Sequence, residues 1–208
     1  DFIGARDDVA LPCEAHGIDF EGEFVVLVDD VPLGCSADLA AEHIKLILQT
    51  NDVSLRAFGP REMKTGFGFL HAKPSSSFAP VAITPDELGD AWSNGRVNLP
   101  LQVEWNGEWF GNPHGSAMHF SLPQLIAHAA LTRRLGAGTL IGSGTVSNSD
   151  RQVGSACISE RRAIETIEHG APKTGFMCFG DRVRMDVTGS DGQSVFGAID
   201  QRIVSASV

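Results

Sequence analysis

The sequence predicts an α+β fold in which short helices are inserted between β-strands. Strand patterns dominate the chain, and helical patterns do not alternate with them regularly, as they would in a doubly wound parallel sheet. Asn106-Gly107 is the strongest two-residue hairpin signal in the chain, and it joins an alternating strand at 97–105 to a return strand. A second hairpin is predicted between strands at 182–187 and 194–204.

The length and composition are those of a globular protein. The chain has 208 residues, of which 42% are hydrophobic and 20% are charged, and this suffices for one compact domain. It opens at Asp1 without a methionine, which we interpret as the loss of an upstream segment. No apolar run approaches the length of a membrane-spanning helix, and no signal-peptide pattern opens the chain.

The net charge limits the binding partners expected for the protein, and the cysteines indicate its cellular compartment. A formal net charge of -10 disfavours nucleic acid and anionic membrane surfaces as partners. The cysteines have no zinc-binding spacing and are predicted to be buried, reduced thiols: Cys13, Cys35, Cys157 and Cys178. These features favour a cytoplasmic protein that binds neither nucleic acid nor a membrane.

The first quarter of the chain carries a predicted strand and a predicted helix. The apolar run at 24–28 indicates a strand that enters the core. Ser36 is a suitable N-cap, and the helix that it begins is predicted to end near Asn51. The residues that recur there at helical spacing are Leu39, Ala40, His43, Ile44, Ile47 and Leu48.

A second helix is predicted after Ser121. This serine and Gln124, three residues later, have the spacing of a capping box, and Pro123 suits the first turn. Gly136 is predicted to end this helix.

A third helix is predicted at 160–168. Ile164 and Ile167 are expected to point inward from it. Gly170, just beyond the last turn, is the predicted stop signal.

Acidic residues precede the first predicted core strand, in the segment 17–23. Because side chains alternate along an extended strand, Glu21 and Glu23 point to the same side, with Asp19 behind them. Carboxylates aligned on one side of a strand that enters a core repel one another and are costly to bury. A hard divalent cation removes both costs, since Mg²⁺ and Ca²⁺ bind oxygen ligands. The alternative is a solvated strand edge, which is common in an acidic protein.

Asp52 offers a third oxygen ligand from a distant segment. If the first helix ends near Asn51, the following carboxylate lies at a chain reversal and can be aimed at a neighbouring strand. A Mg²⁺ site needs such a ligand, and water or substrate fills the remaining positions. The alternative is a structural aspartate in a turn.

Arg56 and Lys73 are the candidate cations downstream of these carboxylates. Arginine suits bidentate capture of a substrate carboxylate, whereas lysine acts as a point charge on a developing oxyanion. Both residues are also consistent with ordinary surface charges.

The glycine-rich run 142–145, which ends at Thr145, is a candidate anion-binding turn. Its glycines permit close backbone approach, and N–H groups there can hold an oxyanion or a carboxylate. A turn without a ligand is equally consistent with the pattern. Neither a dinucleotide-binding glycine pattern nor a serine-hydrolase elbow is present in the sequence.

Glu160 lies in the first turn of the third predicted helix. The helix dipole stabilises a carboxylate at that position, which gives the residue a purely structural reason to be acidic. Alternatively, it orients a histidine or a water molecule for general-base catalysis.

Together these segments resemble the fumarylacetoacetate hydrolase family. The matching pieces, in the family's order, are Gly17-Ile-Asp-Phe-Glu-Gly-Glu23, Asn51-Asp-Val-Ser-Leu-Arg56, His71-Ala-Lys-Pro74, Gly142-Ser-Gly-Thr145 and Ser159-Glu160. The resemblance implies a mixed β-roll or sandwich with short inserted helices, a homodimer, and a single catalytic domain over residues 1–208.

The resemblance also implies a metal site and a substrate site. Glu21, Glu23 and Asp52 match the ligands of a Mg²⁺ or Ca²⁺ ion, with Mn²⁺ as a further candidate. Arg56 and Thr145 match residues that bind the substrate, a small diketo or keto acid.

Two catalytic roles follow from the same resemblance. Lys73 matches the lysine that stabilises charge near the scissile bond, and Glu160 matches the glutamate that pairs with a general-base histidine. That histidine has no counterpart in this sequence, and Gly59 stands where the family has a glutamine.

The implied function is hydrolysis of a carbon–carbon bond in a β-diketo or acylpyruvate-type acid such as fumarylacetoacetate, a step of aromatic catabolism. Hydratase, decarboxylase or isomerase chemistry on a 2-keto or enol acid would use the same metal site and stays open. A catalytically silent domain that binds a metal or a carboxylate is the third alternative.

Overall fold

The computed structural model describes residues 1–206 and has the predicted α+β architecture. Within those residues, two five-stranded sheets pack face to face and are joined by loops that carry short helices.

The bounds of the elements are as follows. The strands are β1 (Phe2–Ile3), β2 (Val9–Leu11), β3 (Ile18–Asp19), β4 (Gly22–Val28), β5 (Ile44–Asp52), β6 (Ser54–Leu55), β7 (Ser76–Phe78), β8 (Trp92–Ser93), β9 (Arg96–Val97), β10 (Leu101–Trp105), β11 (Glu108–Gly111), β12 (Leu140–Gly142), β13 (Arg182–Val187) and β14 (Ile199–Ser205). The α-helices are α1 (Ala37–Glu42), α2 (Gly59–Thr65), α3 (Leu122–Ala129) and α4 (Ile158–His169). Short 3-10 helices lie at Glu14–His16, Gly89–Ala91, Gly115–Ala117 and Arg151–Val153.

Both sheets are mixed. The first has the strand order β1-β7-β5-β4-β12, and the second has the order β11-β10-β13-β14-β2. One edge pair of each sheet is parallel, β1 with β7 and β2 with β14, whereas the other neighbours are antiparallel. Because β1 and β2 are consecutive and join different sheets, the N-terminal segment ties the two sheets together.

The core lies between the two sheets. Phe24 of β4 points into it, and its ring centroid lies 6.4 Å from that of Phe196. The sheets approach closely at Gly22, where a Cβ atom would meet a methyl group of Leu101 at 2.7 Å. Buried apolar side chains from both sheets fill the space between them: Val26, Ile47, Leu101, Val103, Val183, Met185 and Ile199.

The first predicted helix is much shorter than expected. Ser36 does cap α1, since its Oγ accepts a hydrogen bond from the Leu39 N–H at 3.3 Å. The segment from Ile44 onward, predicted as the rest of this helix, is the strand β5. Its apolar spacing fits either structure, and pairing with β4 in the register Val26↔Ile47 decides for the strand.

The prediction for α3 is correct at its start and wrong at its end. Ser121 and Gln124 form the expected capping box, with Pro123 in the first turn. The helix ends at Ala129, well before Gly136, and Leu135, which the prediction placed in the helix, forms a bridge with Val31 instead.

The prediction for α4 is confirmed in position and wrong for one side chain. Gly170 is the left-handed C-cap residue, as expected. Ile158 is fully buried and Ile164 is half-buried, but Ile167 is 73% exposed instead of pointing inward. The first half of the helix packs against the rest of the protein, and its last turn lies on the surface.

Both predicted hairpins form, but the strand predicted at 97–105 is shorter: β10 covers only Leu101–Trp105, because Val97 belongs to β9, which pairs with β8. Asn106 and Gly107 have the positive φ angles, 53° and 81°, that a type I′ turn between β10 and β11 requires. In the second hairpin, β14 begins at Ile199 and not at Ser194, which makes only an isolated bridge with Thr188. Gly197, at a φ of 76°, interrupts the strand between them.

The burial of the cysteines and the length of the helices can be compared with the sequence predictions. All four cysteines are unpaired thiols; Cys35 and Cys157 are buried, Cys13 is half-buried, and Cys178 is exposed, against the prediction. Among the helices of residues 1–206, none is long and apolar enough to cross a membrane.

Glu165 of α4 fastens the chain that follows the helix, and this predicts a pH-dependent stability. Its carboxylate accepts hydrogen bonds from the Thr174 hydroxyl at 2.5 Å and from the N–H groups of Thr174 and Lys173 at 2.9 and 2.6 Å. These bonds, those from Thr174 first, lower the pKa of Glu165 from 4.5 to about 2.

A lowered folded-state pKa stabilises the protein above the unfolded-state pKa, and this stability is lost as the pH falls toward the folded-state value. We expect Glu165→Gln to lower the melting temperature at pH 7 by about 3 °C, because charge-assisted hydrogen bonds are stronger than neutral ones. The difference from the wild type should shrink between pH 4.5 and about 2 in scanning calorimetry. A difference in melting temperature that stays constant down to about pH 2 would contradict the lowered pKa of Glu165.

Candidate active site

Three carboxylates from two neighbouring strands converge on the outer face of the first sheet. Because Asn51 and Phe24 point into the core, the alternating neighbours Glu23 of β4 and Asp52 of β5 point away from it. Glu21, just before β4, points the same way. One carboxylate oxygen from each of Glu21, Glu23 and Asp52 lies within 4.8 Å of the others. The same-side arrangement expected for the two glutamates, and their meeting with Asp52, are present in the structure.

Asp52 reaches this position differently from the sequence interpretation. It is the last residue of β5, not a residue in a turn after a helix. The backbone N–H of Asp52 donates to the carbonyl oxygen of Glu21 at 3.0 Å, which holds the two carboxylate-bearing segments in register. Ser76 of β7 donates from its Oγ to Asp52 Oδ1 at 2.7 Å and fixes the carboxylate from the other side.

Lys73 joins two of the carboxylates. Its Nζ lies 2.5 Å from Glu21 Oε2 and 2.6 Å from Asp52 Oδ2. Burial lowers the pKa of Lys73, but Glu21 and Asp52 outweigh this effect and the pKa is raised above 10.5. The ammonium group therefore stays charged at neutral pH.

Arg56 connects the cluster to a fourth carboxylate, that of Asp19. Its Nε lies 2.8 Å from Asp19 Oδ2 and its Nη2 lies 2.7 Å from Glu21 Oε1. Pairing of β3 with β6, in the register Asp19↔Ser54, brings these residues together. Asp19 is fully buried, and its two oxygens also accept from the N–H groups of Ile158 and Ser159 at 2.7 and 2.9 Å. Asp19 thus fixes Arg56 to the start of α4.

The two glutamates have opposite pKa shifts. Burial opposes ionisation of Glu21, but Lys73 and Arg56 outweigh it and hold the pKa of Glu21 below 4.5. Burial and the adjacent charges of Glu21 and Asp52 raise the pKa of Glu23 well above 4.5. Glu23 is therefore the carboxylate that most lacks a compensating positive charge.

The donor set fits a hard divalent cation. Four carboxylates, those of Asp19, Glu21, Glu23 and Asp52, face only two cationic side chains, those of Arg56 and Lys73, among the residues of this cluster. Oxygen donors of this kind suit Mg²⁺, Ca²⁺ or Mn²⁺. Space for the cluster is kept at Gly142 of β12, where a Cβ atom would lie 2.8 Å from Glu23 Oε2.

The cluster lines a cavity of about 600 Å³, which is large enough for a small organic acid. The glycine-rich run predicted from the sequence forms part of this cavity. Ser143 binds β4 through backbone and side chain: its N–H donates to the Phe24 carbonyl at 2.8 Å, and its Oγ accepts from the Phe24 N–H at 3.1 Å. The loop therefore runs beside Glu23, and Gly144 and Thr145 line the cavity.

Glu160 lies behind the cavity wall. It is on the first turn of α4, next to Ser159, which lines the cavity, and its Oε1 accepts a hydrogen bond from the Ser147 hydroxyl. Its Oε2 is buried without a hydrogen-bond partner among residues 1–206. The other six predicted site residues line the cavity. Glu160 itself does not line it, but its neighbour Ser159 does.

Three contributors were not assigned from the sequence. Asp19 belongs to the acidic segment, so its position at the site follows from the same motif. Ser76 and Glu62 gave no signal. Glu62 of α2 accepts hydrogen bonds from the N–H groups of Leu70, His71 and Ala72, the residues just before Lys73, and only the folded chain brings them together.

Comparison with known sequences gives one family. The sequence model described as "Fumarylacetoacetate (FAA) hydrolase C-terminal" matches residues 1–204. The human protein "Oxaloacetate tautomerase FAHD2A, mitochondrial" is 27% identical over 146 residues, which cover 69% of this chain and 44% of that protein. The chain spans about half the length of the curated relatives it matches, for example 54% of one from Archaeoglobus fulgidus.

Comparison with solved structures gives the same fold. A fumarylpyruvate hydrolase from Pseudomonas aeruginosa, in complex with Mn²⁺ and pyruvate, is 15% identical with a TM-score of 0.68, covering 99% of this chain and 74% of that chain. A 5-carboxymethyl-2-hydroxymuconate delta-isomerase from Mycobacterium smegmatis is 21% identical with a TM-score of 0.69, covering 100% of this chain and 66% of that chain. At these identities the similarity establishes the fold alone.

The position of Glu23 predicts how its replacement changes metal binding and stability. We expect Glu23→Gln to weaken Mg²⁺ binding about 100-fold or more, because it removes a charged ligand. The melting temperature of the metal-free protein should not fall, since the substitution removes a buried carboxylate that its neighbours repel. Calorimetric titration and thermal melts measure the two effects.

The matched control is Glu104→Gln, on β10 of the second sheet and away from the cavity. It should leave Mg²⁺ binding unchanged. Equal Mg²⁺ affinity in wild-type protein and Glu23→Gln would remove Glu23 from the ligand set.

Proposed function

The chain belongs to the fumarylacetoacetate hydrolase family, and from that premise we propose that it is a divalent-metal-dependent hydrolase. The proposed reaction cleaves a carbon–carbon bond in a β-diketo or acylpyruvate-type acid such as fumarylacetoacetate, as in aromatic catabolism. The observation that carries the proposal is the meeting of three carboxylates, Lys73 and Arg56 at one cavity. The unit that we propose to be catalytic is a single domain over residues 1–208.

The proposed metal ligands are Glu21, Glu23 and Asp52. Their excess negative charge supports Mg²⁺ or Ca²⁺, and Mn²⁺ is compatible with the same oxygen donors. A divalent ion bound there supplies Lewis acidity toward the oxygens of a dicarbonyl acid.

Arg56 is the proposed anchor for the substrate carboxylate. Its contacts with Asp19 and Glu21 use one N–H on each of two nitrogens, and a guanidinium carries further donors. Because Asp19 is held by α4, the guanidinium cannot turn away from the cavity without losing a buried ion pair.

Lys73 is the proposed source of positive charge at the reacting carbons. In hydrolysis, water adds to one carbonyl, the bond to the neighbouring carbon breaks, and that carbon keeps the electron pair until it takes up a proton. The fixed ammonium lies 2.5 Å from Glu21, at the edge of the ligand cluster, where it can stabilise negative charge on substrate oxygens. Thr145, which lines the cavity, is the proposed additional substrate contact.

Glu160 is proposed to support catalysis from a position next to the cavity, without lining it. Its hydrogen bond with Ser147 braces the loop that carries Thr145. Its second oxygen is free of partners among the described residues, and it can accept a proton or orient a water molecule there.

The second candidate is isomerisation or tautomerisation of a 2-keto acid, with hydratase and decarboxylase reactions in the same group. The names of the relatives, which include a tautomerase and an isomerase, favour this class. The metal ligands serve either reaction, because both develop negative charge on the same keto oxygen. A silent metal-binding or carboxylate-binding domain is the third candidate.

Turnover of an acid and of its ester tests the proposal. With Mg²⁺ present, we expect loss of ultraviolet absorbance and release of two products from acylpyruvates or fumarylacetoacetate. Arg56→Ala should raise KM for the acid about tenfold or more, and much less for the methyl ester, because only the acid offers a carboxylate to the guanidinium.

Arg56→Lys is the second variant, since it keeps a charge for the buried Asp19. Equal effects on acid and ester in both variants would remove Arg56 from carboxylate binding. Keto–enol exchange without product release would favour the tautomerase. No turnover, with Mg²⁺ binding intact, would favour the silent domain.

The proposed homodimer has support in the outer face of the first sheet. Beside the carboxylate cluster, the outward side chains of Leu27, Leu46, Leu48 and Leu140 form a half-buried apolar strip. A second copy of the chain would cover this strip. Sedimentation should give a dimer for the wild type and a shift to monomer for Leu46→Glu, whereas Glu108→Lys, on β11 of the second sheet and outside this strip, should stay dimeric. A monomeric wild type would overturn the dimer.

The proposed location is the cytoplasm, and the proposed partner is a small-molecule acid. Neither nucleic acid nor a membrane is proposed as a partner. Four unpaired thiols support a reducing compartment. The net charge of -10 supports the absence of polyanionic partners.

A further inference from the structure

One side of the cavity is apolar, and neither the metal cluster nor the two cations account for it. Pro60 and Met63 of α2, together with Phe69 of the following loop, form this side, which we call the apolar wall. Met63 is 64% exposed and Phe69 is 50% exposed, so both present apolar surface that the protein itself does not cover.

The apolar wall is held in place. The Glu62 carboxylate accepts hydrogen bonds from the N–H groups of Leu70, His71 and Ala72 at 3.0, 2.8 and 3.1 Å. The Leu55 N–H donates to the Ala72 carbonyl at 2.9 Å, which fastens the same segment to β6. Because α2 is thereby tied to the loop after Phe69, the exposed side chains are presented in a fixed arrangement, which lowers the entropy cost of binding against them.

The cavity is open beside this wall. Gly59, the first residue of α2, lines the cavity, and a Cβ atom there would meet nothing within 4 Å. Substrate can therefore extend past the carboxylate cluster along Pro60 and Met63.

Beyond Arg56 and Lys73, no basic side chain lines the cavity within residues 1–206. Both of these are paired with the carboxylate cluster and assigned to the keto-acid end of the substrate. Arg61 and Lys64 lie on the same helix but do not line the cavity. A second carboxylate at the far end of a substrate would leave water to face apolar side chains without a counter-charge, which is unfavourable.

From these observations we infer that the substrate is a keto acid with an apolar tail, alkyl or aryl, which packs on Pro60, Met63 and Phe69. Within the proposed class, acylpyruvate-type acids with an apolar acyl group are therefore favoured over diacids such as fumarylacetoacetate. This inference rests on the proposed function, because the keto-acid end is assigned to the metal cluster and Arg56. Met63 and Phe69 are the residues that determine the specificity for the tail.

The test is calorimetric binding of keto acids without a second keto group, which the proposed hydrolysis cannot cleave. With Mg²⁺ present, the probes are pyruvate, α-ketohexanoate and α-ketoadipate; the last two have equal chain length and differ in ending with a methyl group or a carboxylate. We expect α-ketohexanoate to bind about tenfold more tightly than pyruvate, since several methylene groups leave water. α-Ketoadipate should bind no more tightly than pyruvate.

Variants locate the tail. Phe69→Ala should weaken α-ketohexanoate binding about fivefold or more and leave pyruvate binding unchanged. Phe67→Ala is the matched control, because Phe67 is 97% exposed on the same loop and does not line the cavity. Met63→Lys should tighten α-ketoadipate binding by adding the missing counter-charge.

The outcomes separate the inference from the proposed function. Tighter binding of α-ketoadipate than of α-ketohexanoate, with pyruvate bound, would overturn the apolar tail and leave the proposed function intact. Equal weakening by Phe67→Ala and Phe69→Ala would also overturn it. If none of the acids binds while Mg²⁺ does, the proposed function fails and the inference fails with it.

Discussion

The site depends on an imbalance of charge held within a folded β-structure. Carboxylates that would repel one another are fixed on one side of two paired strands, and two cations compensate only part of their charge. Glu23, which is 5% exposed, bears the largest part of the cost, because burial and its acidic neighbours both disfavour its ionised form. Such a cluster lowers the stability of the ion-free protein and raises its affinity for a divalent cation, so stability and the proposed function are linked through the same side chains.

Hydrogen bonds connect the carboxylate cluster to both sheets and hold it in place despite the repulsion between its charges. Asn51 accepts from the Glu21 N–H at 3.1 Å through its Oδ1 and donates from its Nδ2 to Gln201 Oε1 at 3.2 Å. Ser77 also donates to Gln201 Oε1, at 2.7 Å. These buried side chains connect β4, β5 and β7 of the first sheet with β14 of the second. The proposed metal ligands thus rest on a polar network that crosses the core, and a rigid supporting network of this kind keeps ligand geometry fixed.

The residues of the candidate site differ in how far the sequence alone could predict their position. Glu21 and Glu23 were found because their relation depends only on strand alternation. Lys73, Arg56 and Thr145 were found through a resemblance that joins distant segments, since each alone reads as an ordinary residue. Asp52 was expected beside the glutamates for a wrong structural reason, because its segment was taken as a helix end and is the end of β5. Glu62 was missed because its three N–H partners are eight to ten residues away in a loop without regular structure.

The sequence by itself determined the α+β class, the Asn106-Gly107 turn, the capping box at Ser121 and the C-cap at Gly170. These features depend on residues within a turn or two of one another, so their energetics are present in the local sequence. Only the tertiary structure decided that the segment after α1 is a strand, that Lys73 bridges Glu21 and Asp52, and that α2 offers an apolar wall. Each of these depends on a partner brought from another part of the chain, and the free energy of such a contact exists only once the sheets have packed.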